Sequence, residues 1–520
     1  MHAHLAVPPN RTSYFSIGKP FSGFQFIDDY YAGNPAARRL FSLARSFGSR
    51  TLVVEEIDPA GVIEEENVQI LSLYPGFTPG ALRRISFWRT DFKTSRGLES
   101  QESKQLVGYA ILKRDIHPKS LQFSDGWHVF EAVFRKYEHD HNCVPLQGKY
   151  NVAICGNDHE IEGVLYCQQN SMNKVCAHVA IRSLLSRLVP ADPISYSHMN
   201  AVASWNPAIG LTTPQIRKIL TSYGIEYYDI DYDIEEKKNS SVRDDLPYQK
   251  LIYSGVESGK GGLLGFSMSG PQAGSSRHII PFYGHTFNKD TWAPDAEASY
   301  FNIGANYGYI PSESWTSSFL GHDDNFGMNF CIPRLYIKPA QVNYAVEILE
   351  HRALYGGMVA EALALGYIYS LYKELDSTNP WNKRLAYFAS PGVQQVILRA
   401  VCVEKSVYIN HLAHMEDWHG NKENPLLIPV LEKLRADLLW VVEVSVPQLF
   451  SANERKLGEV VLDAQKKRQQ LVYDKFDFSS YIIARFPGKY FLLPAVNQHG
   501  PAFCSIPSNI QSHVDLLRLQ

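Results

Sequence analysis

A cysteine stands at the head of an apolar helix-like run just after two glutamines, in Gln168-Gln169-Asn170-Ser171-Met172-Asn173-Lys174-Val175-Cys176-Ala177. Further along, a histidine stands at the head of an apolar strand-like run, Arg277-His278-Ile279-Ile280-Pro281-Phe282-Tyr283-Gly284-His285. Val175, Val179, Ala180, Leu184 and Leu188 fall near one face at helical spacing, which predicts one helix over Lys174 to Leu188 with Cys176 in its first turn. Unpaired amides and the helix dipole favour a thiolate there, and an imidazolium brought beside it favours it further. Together the two segments read as a thiol nucleophile, its oxyanion donor and its base.

At 520 residues the chain is too long for one ordinary core, so two or three domains are expected. Its apolar fraction of 45% and charged fraction of 20% are those of a soluble globular protein. A formal net charge of −3 gives no global reason to bind nucleic acid or anionic lipid. The seven cysteines are scattered and never form a Cys-x-x-Cys pair, a usage that suits free thiols in a reducing cytoplasm. The N-terminal stretch lacks the apolar core of a secretory signal, so a cytoplasmic location is expected. Ala353 to Tyr372 is nearly free of charge, with Glu361 alone, but its glycines and tyrosines fit a buried central helix better than a membrane span.

Residues 1–104 alternate helix-like and strand-like signals and read as an N-terminal α+β extension. Residues 105–340 open with two strand-like runs, Leu106 to Lys113 and Trp127 to Phe134, and hold the cysteine and histidine segments. Residues 341–520 read as mainly helical with a few strands, the helices over Gln341 to Glu374, Val393 to His414 and Leu426 to Leu438 and the strands over Leu439 to Val444 and Tyr481 to Arg485. Gly259-Lys260-Gly261-Gly262 lacks the Gly-Lys-Ser/Thr ending of a phosphate-binding loop, so no nucleotide or other cofactor is expected.

A thiol hydrolase also needs a group that orients the base and donors for the oxyanion. Gly321-His322-Asp323-Asp324-Asn325-Phe326-Gly327 follows a strand-like run and places Asp323 and Asp324 at its end, where either carboxylate suits the distal imidazole nitrogen. Asn288, Asp290 and Asp295 are alternatives for that role, and His285 is an alternative base. Gln168 or Gln169 would donate to the oxyanion beside the Cys176 backbone N–H.

The order of Gln, cysteine helix, histidine strand and aspartate turn resembles the papain-like cysteine peptidase superfamily, closest to the bacteriocin-processing type. The resemblance covers roughly residues 105–337, with Val175 and Ala177 flanking the cysteine in place of that type's Asp and Gly. It implies a papain-like core, in which the cysteine helix packs on an antiparallel sheet, inside an α+β protein. It also implies Cys176 as nucleophile, His278 as base, Asp323 or Asp324 as orienting acid and Gln169 or Gln168 as oxyanion donor. The implied activity is cleavage of a peptide or isopeptide bond in a protein or peptide substrate, through an acyl-enzyme, in a bacterial cytoplasmic setting. The same machinery performs deamidation or acyl transfer, and an inert scaffold that binds a partner is the reading from another class.

Each part also has a bland reading. Free cysteine is commonly a small buried apolar residue, and glutamines before a helix commonly cap it. His411, His414, Glu416 and His419 are the strongest metal alternative, but they lack the His-Glu-x-x-His order and suit a polar helix end. The Asp323–Gly327 turn lacks the ligand spacing and distal Glu of a calcium loop.

Overall fold

The computed structural model describes residues 12–18, 21–116, 126–136, 142–170, 175–189, 194–206, 209–267, 277–287, 309–372, 396–425, 427–451, 453–466, 478–497 and 500–519. Within them the chain is mixed α+β and is organised by three large sheets, antiparallel except for one short parallel pair. The first sheet runs in the order Thr12–Ser16, Thr51–Glu56, Thr78–Trp88, Leu106–Ile116, Gly126–Phe134, Asn157–Tyr166 and Gly148–Ile154. The second runs Gly327–Pro333, Ser318–Asp323, Arg277–Thr286, Gly262–Ser267, Val342–Ile348 and Tyr227–Asp231, with Asn142–Cys143 also paired to the strand that begins at Arg277. The third is built from Ile310–Pro311, Ile397–Glu404, Leu438–Ser445, Gly458–Asp463, Tyr481–Phe486, Lys489–Asn497 and Gly500–Pro507.

The cysteine helix, Cys176–Leu185, lies between the first two sheets. Its Val179, Ala180 and Leu184 share one buried cluster with Tyr109, Phe130 and Val133 of the first sheet and with Leu263, Ile279 and Val346 of the second. A helix wedged between two sheets buries apolar side chains all round, which is why nine of its ten residues are buried. The other face of the second sheet packs on helices Tyr248–Glu257 and Gly357–Tyr372, which in turn cover the third sheet around Trp440, Val442 and Leu398. Helix Gly357–Tyr372 is a buried central helix, and no helix among the described residues is long and apolar enough to cross a membrane. Its Glu361 pairs with Lys250, which also lies 3.2 Å from Glu313, so the helix's one charge is compensated inside the core.

Three expectations differ from the structure. Among the described residues the region 341–520 is not mainly helical: Val342–Ile348 and Ile397–Glu404, expected within helices, are strands, whereas the strand-like runs Leu439 to Val444 and Tyr481 to Arg485 fall in strands Leu438–Ser445 and Tyr481–Phe486. Val342–Ile348 and Ile397–Glu404 are buried on both faces, so their side chains show no polar-apolar alternation, a pattern that periodicity does not separate from a buried helix. The boundary between 104 and 105 falls inside a continuous sheet, because Leu106–Ile116 pairs along Thr78–Trp88. The boundary between 340 and 341 likewise cuts Val342–Ile348 away from its partners Gly262–Ser267 and Tyr227–Asp231.

Candidate active site

Cys176 is the first residue of its helix, with Val175 as the N-cap and no side-chain cap. The leading amides of the helix are therefore without intrahelical acceptors and give the sulfur a positive local field. The thiol is partly exposed, unlike Cys167 and Cys402, which are buried. His278 is the second residue of its strand, and its ring stands within hydrogen-bonding reach of the Cys176 thiol.

On its other side the ring meets the end of the neighbouring strand. His278 Nε2 lies 3.1 Å from Asp324 Oδ1 and 3.5 Å from Asp323 Oδ2. The two strands are antiparallel neighbours, so the first residues of one lie beside the last residues of the other. Asp323 is anchored by the backbone N–H groups of Asn325 at 2.8 Å and Phe326 at 3.2 Å, both donating to its Oδ1. A tight turn that folds back on its own carboxylate in this way fixes the side chain before any partner arrives.

The charges follow from this packing. Burial alone would push His278 toward neutrality, but the hydrogen bonds to Asp323 and Cys176 and the charges of Asp324 and Asp323 outweigh it and raise its pKa to about 10. Burial lifts the Asp323 carboxyl as well, and His278 together with the two backbone amides more than reverses that, so its pKa is lowered. Asp324 is the more buried of the two, and burial, with the like charge of Asp323, raises it to about 7 against the pull of His278. The nearer oxygen thus belongs to the more weakly ionised acid, and the firmer negative charge to Asp323.

The two glutamines part company. Gln168 continues the ladder of the first sheet: its N–H donates to the Val129 carbonyl, and its side-chain Oε1 accepts from the Val129 N–H at 2.8 Å and from Asn34 Nδ2 at 3.2 Å. Gln168 thus turns its side-chain oxygen to the first sheet, as successive residues of an extended segment point to opposite faces. Gln169 faces the site, and its Nε2 donates to Asn325 Oδ1 at 2.9 Å. Asn325 Nδ2 is in turn 3.5 Å from His278 Nε2 and 3.4 Å from Asp324 Oδ1. Asn325 is thus a member of the site that was not singled out from the sequence. Its one sequence signal was its place directly after the two aspartates.

The remaining candidates separate from this group. His285 is fully buried, 2.8 Å from Glu257 Oε1 through Nε2, and does not pair with Cys176. Asn288, Asp290 and Asp295 lie outside the described residues. His411 is half-buried with its Nε2 at 3.2 Å from the Lys456 ammonium, and desolvation and that charge lower its pKa to about 3. His414 Nδ1 bonds to the Asn410 carbonyl, and Glu416 to Lys422, so these residues do not form a ligand set among the described residues. Among the described residues three groups do lie close enough to share an ion: His278 with Asp323 and Asp324, Cys143 with Glu257 and His285, and Glu66 with Asp115 and His128. In the last, the Lys113 ammonium already stands 2.5 Å from Glu66 and 2.9 Å from Asp115, and in the second Arg399 pairs with Glu257, so a cationic side chain supplies the positive charge. The chain matches no protein-family model, no curated protein and no solved structure.

Proposed function

We propose that the protein is a thiol hydrolase with a papain-like core, acting on peptide or isopeptide bonds. The observation that carries this reading is the convergence of three distant segments on one point: a helix-start thiol, an imidazole beside it, and a carboxylate pair on the imidazole's far nitrogen. A buried cysteine of purely structural use requires neither the charge-compensated histidine nor the helix terminus.

With Nε2 held by the carboxylates, proton exchange with sulfur falls to Nδ1. Proton transfer from the Cys176 thiol to the imidazole gives a thiolate beside an imidazolium, and the thiolate attacks the substrate carbonyl carbon. The oxyanion is held by the Cys176 backbone N–H and by the second amide hydrogen of Gln169, the first being donated to Asn325. His278 passes its proton to the departing amine, the C–N bond breaks, and an acyl-cysteine thioester remains. Water, deprotonated by the now neutral imidazole, adds to the thioester and releases the acid and the thiol. The Asp323–Asp324–Asn325 turn keeps the ring in one orientation through both half-reactions.

The test is incubation of the protein with a proteome-derived peptide and protein library, with mass spectrometry of the products. New peptide termini that require Cys176 support hydrolysis. Deamidated side chains or acyl transfer in place of new termini would reassign the acceptor, and no product from the wild type beyond that of Cys176→Ala would contradict the reading.

A further inference from the structure

A second, separate site lies between the first and second sheets. A cavity of about 440 Å³ is lined by helix Pro35–Ser46, by the end of strand Gly126–Phe134 and by strands Arg277–Thr286 and Gly327–Pro333. That is within the size range of sites for small organic molecules. Cys176, His278 and the aspartates do not line it, so it is independent of the proposed catalytic function.

Its chemistry is one-sided. Arg39, Arg135 and Lys136 line it, and no aspartate or glutamate does among the described residues. None of the three cations has a carboxylate within ion-pair distance among the described residues. Arg39 donates through Nε to the Met328 carbonyl at 3.2 Å and through Nη2 to the Asn329 carbonyl at 2.7 Å. Arg135 donates through Nε and Nη2 to the carbonyls of Leu106 and Ser103, both at 2.6 Å. In each guanidinium the backbone carbonyls hold the fork in place and leave Nη1 without a described acceptor. Burial and the neighbouring charge of Arg89 disfavour the Arg135 cation despite the attraction of Glu162. Between the cations the wall is apolar, with Phe134, Val164 and Leu320. Tyr283 and Asn329 add a polar edge and are hydrogen-bonded to each other.

We infer that this cavity binds a small organic anion, a carboxylate, sulfonate or phosphate carried on an aromatic or apolar body. Two pre-positioned guanidiniums and one ammonium meet the anionic head, and the Phe134–Leu320 wall takes the body. A free inorganic ion would leave that wall uncovered, and a neutral apolar molecule would leave the cations without a carboxylate partner among the described residues.

Anilinonaphthalene sulfonate, an aromatic anion, and N-phenylnaphthylamine, its uncharged counterpart, serve as probes, titrated into the full chain by fluorescence and calorimetry. The sulfonate is expected to bind saturably at one site and at least roughly tenfold more tightly than the uncharged probe. Lys136→Glu, at an exposed position that leaves the fold intact, and Arg135→Gln are each expected to weaken it by roughly tenfold or more. Ser42→Phe, which fills the cavity, is expected to abolish single-site binding. Equal affinity for the two probes, affinity unchanged in Lys136→Glu and Arg135→Gln, or no saturable binding by the wild type would each overturn the assignment.

Discussion

Replacing Asp323 and Asp324 together by asparagine removes both carboxylates from His278 while keeping their volume. In the native protein the ring's pKa stands at about 10 against an ordinary 6.5, in spite of burial that pulls the other way. At about 1.4 kcal/mol for each pKa unit, the folded protein favours the imidazolium by roughly 5 kcal/mol, an order-of-magnitude figure. With the carboxylates at 3.1 and 3.5 Å from Nε2, an opposite charge at such range accounts for about 1–3 pKa units. The double variant is therefore expected to lower the His278 pKa by at least about 1–3 units, because burial stays and of the groups that oppose it only Cys176 remains. The sign for stability follows: a group whose folded pKa lies above its unfolded one stabilises fully below the unfolded value and loses that contribution as pH rises through the folded one. The wild type is thus expected to exceed the double variant in stability by several kcal/mol at about pH 6, with the difference shrinking toward pH 10. Ring-proton NMR of His278 across pH, paired with urea unfolding at both ends of the range, reads both quantities. A ring that still titrates near 10 in the double variant would refute the electrostatic argument.

Taken singly, Asp323→Asn is expected to lower the His278 pKa more than Asp324→Asn at neutral pH, because Asp324, lifted to about 7 first by burial, carries only part of a charge there; the same NMR titration decides it. Gln169→Ala is expected to cut turnover by roughly 10²–10³ while leaving alkylation of Cys176 by a small reagent nearly unchanged. Gln168→Ala is expected instead to cost about 1–3 kcal/mol in urea unfolding, since the Val129 N–H loses its acceptor. Lys250→Met strands Glu361 and Glu313 in the core and is expected to destabilise by about 3–5 kcal/mol, measured by the same unfolding assay.

The parts of the site that lie on regular elements were legible in the sequence. A helix start marked by apolar spacing placed Cys176, an apolar run headed by a histidine placed His278, and a strand followed by a turn placed Asp323 and Asp324. These are local signals, and each names a position on an element without needing its neighbours. What decides between Gln168 and Gln169 is not local. Gln168 is claimed by Val129 and Asn34, partners far away in the chain, whereas Gln169 meets Asn325 across two segments joined only by the fold. The C-terminal region misled for a different reason. Ile397–Glu404 is buried at every position but its last, and a strand covered on both faces has no alternation to announce it. Its Arg399 was equally uninformative in sequence, because it is held between Glu257 and Glu443 inside the core, not at a surface.

The account rests on an activated thiol, and the most direct test is the pH dependence of Cys176 alkylation by iodoacetamide, read residue by residue with mass spectrometry in the wild type and in His278→Ala. The account predicts fast labelling of Cys176 at about pH 6 in the wild type, lost in the variant, with no other cysteine behaving alike. Slow labelling of Cys176 in both proteins, indistinguishable from that of exposed Cys331 and Cys504, would contradict it.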